Sequence, residues 1–148
     1  MTEFAKEFTV VFEIDPEYLG DTENVLTVGY GIEDFMAKMF FKKDVLITKD
    51  SEDPYDIAVP ALVVETQPKL LCGYHLSIIR SNNQRLRGSY LFWVLRDASI
   101  ASQLHREATG ITRWAIANRH VKNGTIPLPP DTEQKFIVSY LTQINWNF

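Results

Sequence analysis

Five residues near the C-terminus, Ile126-Pro127-Leu128-Pro129-Pro130, limit the fold more than any other stretch. Three prolines fix φ and remove N–H donors, and each residue before a proline is pushed out of the helical region. The segment is therefore extended. Asp131 or Thr132 directly after it suits a helix start, and Glu133 and Gln134 fall in the first turn, where a carboxylate matches the positive end of the helix dipole. Phe136, Ile137, Tyr140, Leu141 and Ile144 then recur as an apolar stripe at helical spacing. That stripe either packs back on the body of the protein or faces a partner.

Upstream of the proline run the hydrophobic period changes once. Phe8 to Ile14 is apolar and β-branched and ends at Asp15-Pro16; Val25 to Val28 is a second short candidate strand. Phe40 to Ile47 reads as a turn followed by a strand. Ile57 to Val64 and Leu70 to Ile79 are two further strand-length runs, the first an edge or broken strand because of Pro60. From Leu91 the period lengthens. Leu91, Val94, Leu95, Ala98, Ala101, Leu104 and Ala108 follow one helical face, with Gly110 as the expected stop. A short turn at 116–121 leads into Asn123-Gly124, a strong turn signal. The expected fold is α+β: a twisted, mostly antiparallel β region, then a long helix, a short strand and a C-terminal helix.

Composition narrows the function classes. The 148 residues suit one domain, and 45% hydrophobic with 12% aromatic residues is enough for a core. A single cysteine, Cys72, leaves no intrachain disulfide and no cysteine-rich zinc site, and it suits a reducing cytosol. No apolar run reaches the roughly 20 residues of a membrane span, and the N-terminus lacks the basic start and apolar stretch of a signal peptide. The expected location is cytoplasmic. The net charge of −4 hides an asymmetry: residues 1–79 hold 15 acids against six Lys or Arg, whereas 80–122 hold eight Lys or Arg against Asp97 and Glu107. An acidic total means weak non-specific attraction to phosphate, so nucleic-acid binding would depend on local geometry or a basic partner.

Signals for catalysis are thin. His75, His105 and His120 have no ligand spacing to one another or to Cys72, and each reads as a packed or surface histidine. Gly29 and Gly31 are only a pair of glycines, and no nucleophile elbow, phosphate loop or dinucleotide fingerprint occurs. Asp50, Glu52, Asp53 and Asp56 lack the glycine and terminal glutamate of a calcium loop. Asp56 with Glu65-Thr66-Gln67 faintly resembles a metal-dependent nuclease pattern, without its usual lysine. Asn123-Gly124-Thr125 is a sequon in form and a turn in substance.

Several motifs occur in a telling order. Tyr90-Leu91-Phe92-Trp93-Val94-Leu95 is followed by Ala108-Thr109-Gly110-Ile111-Thr112, then Ile116 and Val121, then the run from Ile126 through Pro129-Pro130 and Glu133-Gln134 to Ile137. Upstream stands Lys43-Asp44-Val45-Leu46-Ile47-Thr48. Together these resemble the target-recognition domain of type I restriction–modification specificity subunits over roughly residues 40–140. Lys43 departs from the pattern, which has glycine there. The resemblance implies a division at residue 131, with 1–131 as the recognition domain and 132–148 as the start of the conserved spacer helix. It also implies that the chain reads one half of a bipartite target in double-stranded DNA and does no catalysis. Methyl transfer, with S-adenosylmethionine, and cleavage would belong to partner methyltransferase and restriction subunits, so no cofactor is expected here. Family subunits carry two such domains, so the chain is expected to be a half-length subunit pairing as a homodimer, an isolated domain or a degenerate relative.

For DNA contact the candidates are Arg80, Asn82, Asn83, Gln84, Arg85 and Arg87, with Thr112 and Arg113. Arginine can bond guanine with two donors, and Asn or Gln can do the same with adenine, while other arginines hold phosphates. The bland alternative is that 80–85 merely connects strand to helix. For partner contact the candidates are Phe136, Ile137, Tyr140, Leu141 and Ile144. A second functional reading keeps the fold without DNA binding: an adaptor whose last helix docks a methyltransferase subunit or another copy.

Overall fold

The computed structural model describes residues 2–3 and 8–11 as strand backbone, and residues 41–66, 72, 75–81 and 85–145 in full. Its strands are β1 (Thr2–Glu3), β2 (Phe8–Val11), β3 (Val45–Thr48), β4 (Asp50–Ser51), β5 (Pro60–Leu62), β6 (Leu76–Ser81), β7 (Thr109–Gly110), β8 (Trp114–Ala115) and β9 (Thr125–Ile126). Its helices are α1 (Gly88–Leu95), α2 (Ala98–His105), α3 (Asn118–Asn123) and α4 (Asp131–Asn145). Every described strand pair is antiparallel. The α+β expectation therefore stands. The candidate strand at 25–28, the tail of the first run (12–14) and residues 70–71 and 73–74 lie outside the described residues.

The central sheet runs β2-β6-β3-β5, which leaves β5 at an edge. Pro60 begins that edge strand, where its missing N–H breaks no interior ladder. The period of two divides the residues between the two faces. Val45 and Ile79, paired across β3 and β6, are fully buried in the main core with Leu91 and Leu95. Their neighbours Leu46 and Ile78 pack on the other face with Cys72 and Leu76. A sheet covered on both sides explains why this part of β6 reads as a continuous apolar run.

The helical half departs from expectation in the middle. In place of one long helix there are two of eight residues each, α1 and α2. Asp97 breaks them apart: its backbone is extended, and its carboxylate accepts from Ser99 N at 2.9 Å and Ile100 N at 3.2 Å. An aspartate with a serine two residues on competes with the helical ladder and starts a new helix. The buried residues are Leu91, Leu95, Ile100 and Leu104, and the step from Leu95 to Ile100 is one residue too long for a single straight stripe.

Two glycine signals also resolve differently. The helix ends at His105, and Gly110 lies in the β7–β8 hairpin, where a Cβ would stand 2.0 Å from the Arg113 carbonyl oxygen. Asn123-Gly124 is the end of α3 rather than a hairpin turn, and 118–121 is helical. The exit arm behaves as expected, with Ile126 in β9 and helix α4 starting at Asp131. Among the described residues, no helix is long and apolar enough to cross a membrane.

Candidate nucleic-acid interface

Strands β3 and β6 run side by side, so residues beyond their ends meet at two separate places. At one end Asp44, just before β3, faces Arg80 near the end of β6. At the other end Asp50, just past β3, faces His75, just before β6. Five residues of strand at about 3.3 Å each put these two places roughly 17 Å apart. The candidate DNA residues divide between them: Arg80, Arg85 and Arg87 lie at the first, which we term the loop end, and Thr112 and Arg113 at the second, the hairpin end. Asn82, Asn83 and Gln84 lie outside the described residues.

The loop end is built on a turn at residues 41–44. Asp44 N donates to the Phe41 carbonyl at 2.9 Å, and the Asp44 carboxylate accepts from Phe41 N at 2.8 Å. Lys43 N donates to Val63 O at 2.8 Å and takes φ 77°. This left-handed backbone costs a residue with a side chain about 1–2 kcal/mol and costs glycine nothing. The glycine of the resembled pattern is thus explained by geometry, and Lys43 carries the strain. Arg80 closes the turn with a two-pronged contact to Asp44, Nε–Oδ1 at 3.0 Å and Nη2–Oδ2 at 2.8 Å, while its guanidinium lies 4.2 Å over the Phe41 ring. Asp44 is only 3% exposed, so this pair is structural. Gly88 touches the same turn, since a Cβ there would stand 1.9 Å from Lys43 O.

Residues 85–87 are held from the other side by α4. Gln134, fully buried, accepts from Arg87 N at 3.0 Å and donates to the carbonyls of Arg85 at 2.6 Å and Pro129 at 2.9 Å. One amide thus satisfies three backbone groups that secondary structure does not. The Arg87 guanidinium grips both carboxylate oxygens of Asp131, with Nη2–Oδ2 at 3.0 Å, and Lys135 reaches the same carboxylate at 3.0 Å. Those hydrogen bonds, Arg87 first and Lys135 second, hold the Asp131 pKa down at about 2. Arg87 therefore anchors the helix, while the Arg85 side chain is exposed.

At the hairpin end, β4 pairs with β8 and β8 with β7, so the tip 111–113 stands out from a small three-stranded sheet. Ile111 is 94% exposed, and Thr112 is exposed beside it. Arg113 Nη2 donates to Asp50 Oδ1 at 2.7 Å and meets His75 Nδ1 at the same distance; His75 Nδ1 also contacts Asp50. Burial opposes the charged form of Asp50, but the hydrogen bonds from Arg113 and His75 outweigh it and keep the carboxyl below its ordinary range. Two other acids of the 50–56 loop build local structure: Asp53 caps the 54–56 turn through Tyr55 N, and Asp56 accepts from Ser51 Oγ. Of the other histidines, His105 bonds the Ile57 carbonyl and His120 pairs with Glu107 at 2.6 Å. Among the described residues, no group of three His, Cys, Asp or Glu could hold a metal ion.

The partner stripe on α4 also divides. Ile137 packs on the main core, and Leu141 lines a cavity of about 350 Å³ with Tyr90, Trp93 and Val94 of α1. Phe136, Tyr140 and Ile144, spaced by four, are 71%, 55% and 44% exposed. Part of the stripe therefore packs back on the body of the protein, and part is exposed.

Sequence reasoning missed the partners more than the arginines. Asp44, Asp50 and Asp131 decide what Arg80, Arg113 and Arg87 do, and they lie 36, 63 and 44 residues away. Gln134 was legible as a helix-start residue but not as a buried clamp; its place just past Pro129-Pro130 was the available signal.

A family model described as type I restriction modification DNA specificity domain matches residues 15–146. Three solved structures are similar. A chain from work on complex assembly and conformational transition of the type I R-M system is 25% identical over 74% of this chain, with a TM-score of 0.57. The type I restriction–modification S subunit from M. genitalium is 15% identical over 97%, with a TM-score of 0.64. The HsdS subunit from Thermoanaerobacter tengcongensis is 22% identical over 97%, with a TM-score of 0.59. The last two likenesses concern the fold alone. This chain spans 25%, 38% and 39% of the lengths of those three chains. No curated protein matches it. The family match runs through the turn at Asp44, the 108–112 hairpin motif and the proline run into α4, and the chain belongs to the type I restriction modification DNA specificity domain family.

Proposed function

We propose that this domain reads base sequence in double-stranded DNA, one half of a bipartite target, for partner methyltransferase and restriction subunits and performs no chemistry itself. The observation that carries the site is the charge at the loop end. Lys42, Lys43, Arg80, Arg85, Arg87 and Lys135 gather there against Asp44, Asp131 and Glu133, on a chain that is acidic overall. Local geometry thus supplies the phosphate attraction that net charge does not.

Roles within that site divide between anchoring and exposed side chains. Arg80 and Arg87 spend their guanidinium groups on Asp44 and Asp131 and hold the loop in place. Arg85, whose side chain is exposed, contacts base edges in the major groove, and the amide chemistry of Asn82, Asn83 and Gln84 suits the same role. Thr112 and Arg113 meet the duplex roughly 17 Å away, about five base pairs at the 3.4 Å rise per strand. The domain boundary falls where α4 begins, and Phe136, Tyr140 and Ile144 face a partner subunit or a second copy. Buried, reduced Cys72 suits action in the cytoplasm.

The test is selection of bound sequences from a random duplex library, with and without the methyltransferase partner. Enrichment of a short motif is expected. No enrichment in either condition, with the partner still bound, would sink the reading and leave a docking adaptor.

A further inference from the structure

Two described residues other than glycine adopt positive φ, Lys43 at 77° and Ala58 at 61°. Ala58 is 1% exposed and its methyl group packs in the main core, so its strain is offset where it arises. Lys43 is exposed, and among the described residues neither it nor its exposed neighbour Lys42 has an acidic partner. Nothing in the described fold repays a cation at that position. Strained backbone of this kind persists where a side chain serves a function.

The position of the two lysines is not loose. The turn that carries them is closed by the Asp44 carboxylate, locked to Arg80, and set against Gly88 through the Lys43 carbonyl. They therefore stand beside the segment 85–87, itself clamped by Gln134. Resting on the DNA-reading function proposed above, we infer that Lys42 and Lys43 contact phosphodiester groups of the duplex flanking the bases read by the 80–87 loop. Lys43 keeps its side chain, against the backbone's preference for glycine, because that charge fixes the register of the domain on DNA. Such contacts carry affinity and salt dependence and no base preference.

The experiment compares the wild-type chain with Lys43→Gly and Lys42→Ala. It measures thermal midpoint, affinity for a random-sequence duplex and for a duplex bearing the selected motif, and the salt dependence of both, with and without the methyltransferase partner. For Lys43→Gly the midpoint should rise while affinity falls several-fold, and the slope of log affinity against log salt should become shallower by about 0.9. Lys42→Ala should lose a similar slope at unchanged midpoint, and both variants should keep the selected motif. A purely structural lysine cannot move stability up and binding down together. Unchanged affinity and slope in both variants would overturn the inference while leaving sequence reading intact, and so would a lower midpoint in Lys43→Gly. A wild-type chain that binds no duplex at any salt would overturn the function and this inference with it.

Discussion

The loop end and the hairpin end of the β3–β6 pair carry the same kinds of residue and use them differently. At the loop end, among the described residues, six cations stand against Asp44, Asp131 and Glu133, and Asp44 and Asp131 are gripped in two-pronged contacts that fix Arg80 and Arg87 as anchors. Arg85 and the two lysines of the 41–44 turn remain on the surface. At the hairpin end Arg113 is drawn to Asp50 and His75, and Lys49 stands in sequence beside Asp50, Glu52, Asp53 and Asp56. A basic residue in sequence becomes a basic surface only where its acids are fewer or already engaged. On the function proposed above, the contrast predicts the stronger duplex attraction at the loop end, and it can be broken in three ways.

The largest effect is expected from Gln134→Leu. Three backbone groups of the loop end lose their partner at once, and each buried unsatisfied group costs about 1–3 kcal/mol. A loss of about 3 kcal/mol in urea unfolding is expected, with weakened selection of the motif. A loss under about 1 kcal/mol would mean that the 85–87 segment is held by something other than α4.

Next comes the pair Arg85→Ala and Arg113→Ala, read as affinity for the selected duplex. Arg85→Ala should cost about 1–3 kcal/mol if it contacts a base, and relax one position of the motif. Arg113→Ala should cost less than about 1 kcal/mol, because Asp50 already neutralises it and its contacts are with the protein. The reverse order would move base reading to the hairpin.

The smallest effect is the acid response. Asp131, with its pKa at about 2, and Asp50, also lowered, bind protons more weakly in the folded chain than in the unfolded one. Their contributions are present above the ordinary carboxylate value near 3.8 and are lost as pH falls through the folded values. Unfolding midpoints should therefore decline below about pH 4, and Asp131→Asn should flatten that decline at the loop end without touching the hairpin end. An unchanged pH profile in Asp131→Asn would show that the Arg87 pair is not coupled to folding. Added salt should weaken the same exposed pair.

What could be read from residues alone has a common character. Pro60 at an edge strand, the extended arm at 126–130, the helix start at Asp131 and the period-two and helical runs all depend on backbone dihedrals and side-chain spacing within a few residues. The family motifs are legible for the same reason, and one of them is now explained by a single left-handed residue, Lys43. The split between α1 and α2 was also local, written in Asp97-Ala98-Ser99 and in the long step from Leu95 to Ile100, but the helical period of the surrounding run concealed it.

Tertiary structure alone decided which carboxylate Arg80, Arg87 and Arg113 each meet, and which half of the α4 stripe stays outside. Those outcomes rest on contacts across 36 to 63 residues, set by the register of β3 on β6 and by the docking of α4 against α1. A guanidinium at 2.8 Å from a carboxylate with 3% exposure is a structural group, whereas in water the same guanidinium would keep its donors for another partner. Amino-acid identity supplies the charge, while the partner that chain folding brings within hydrogen-bond reach supplies its role.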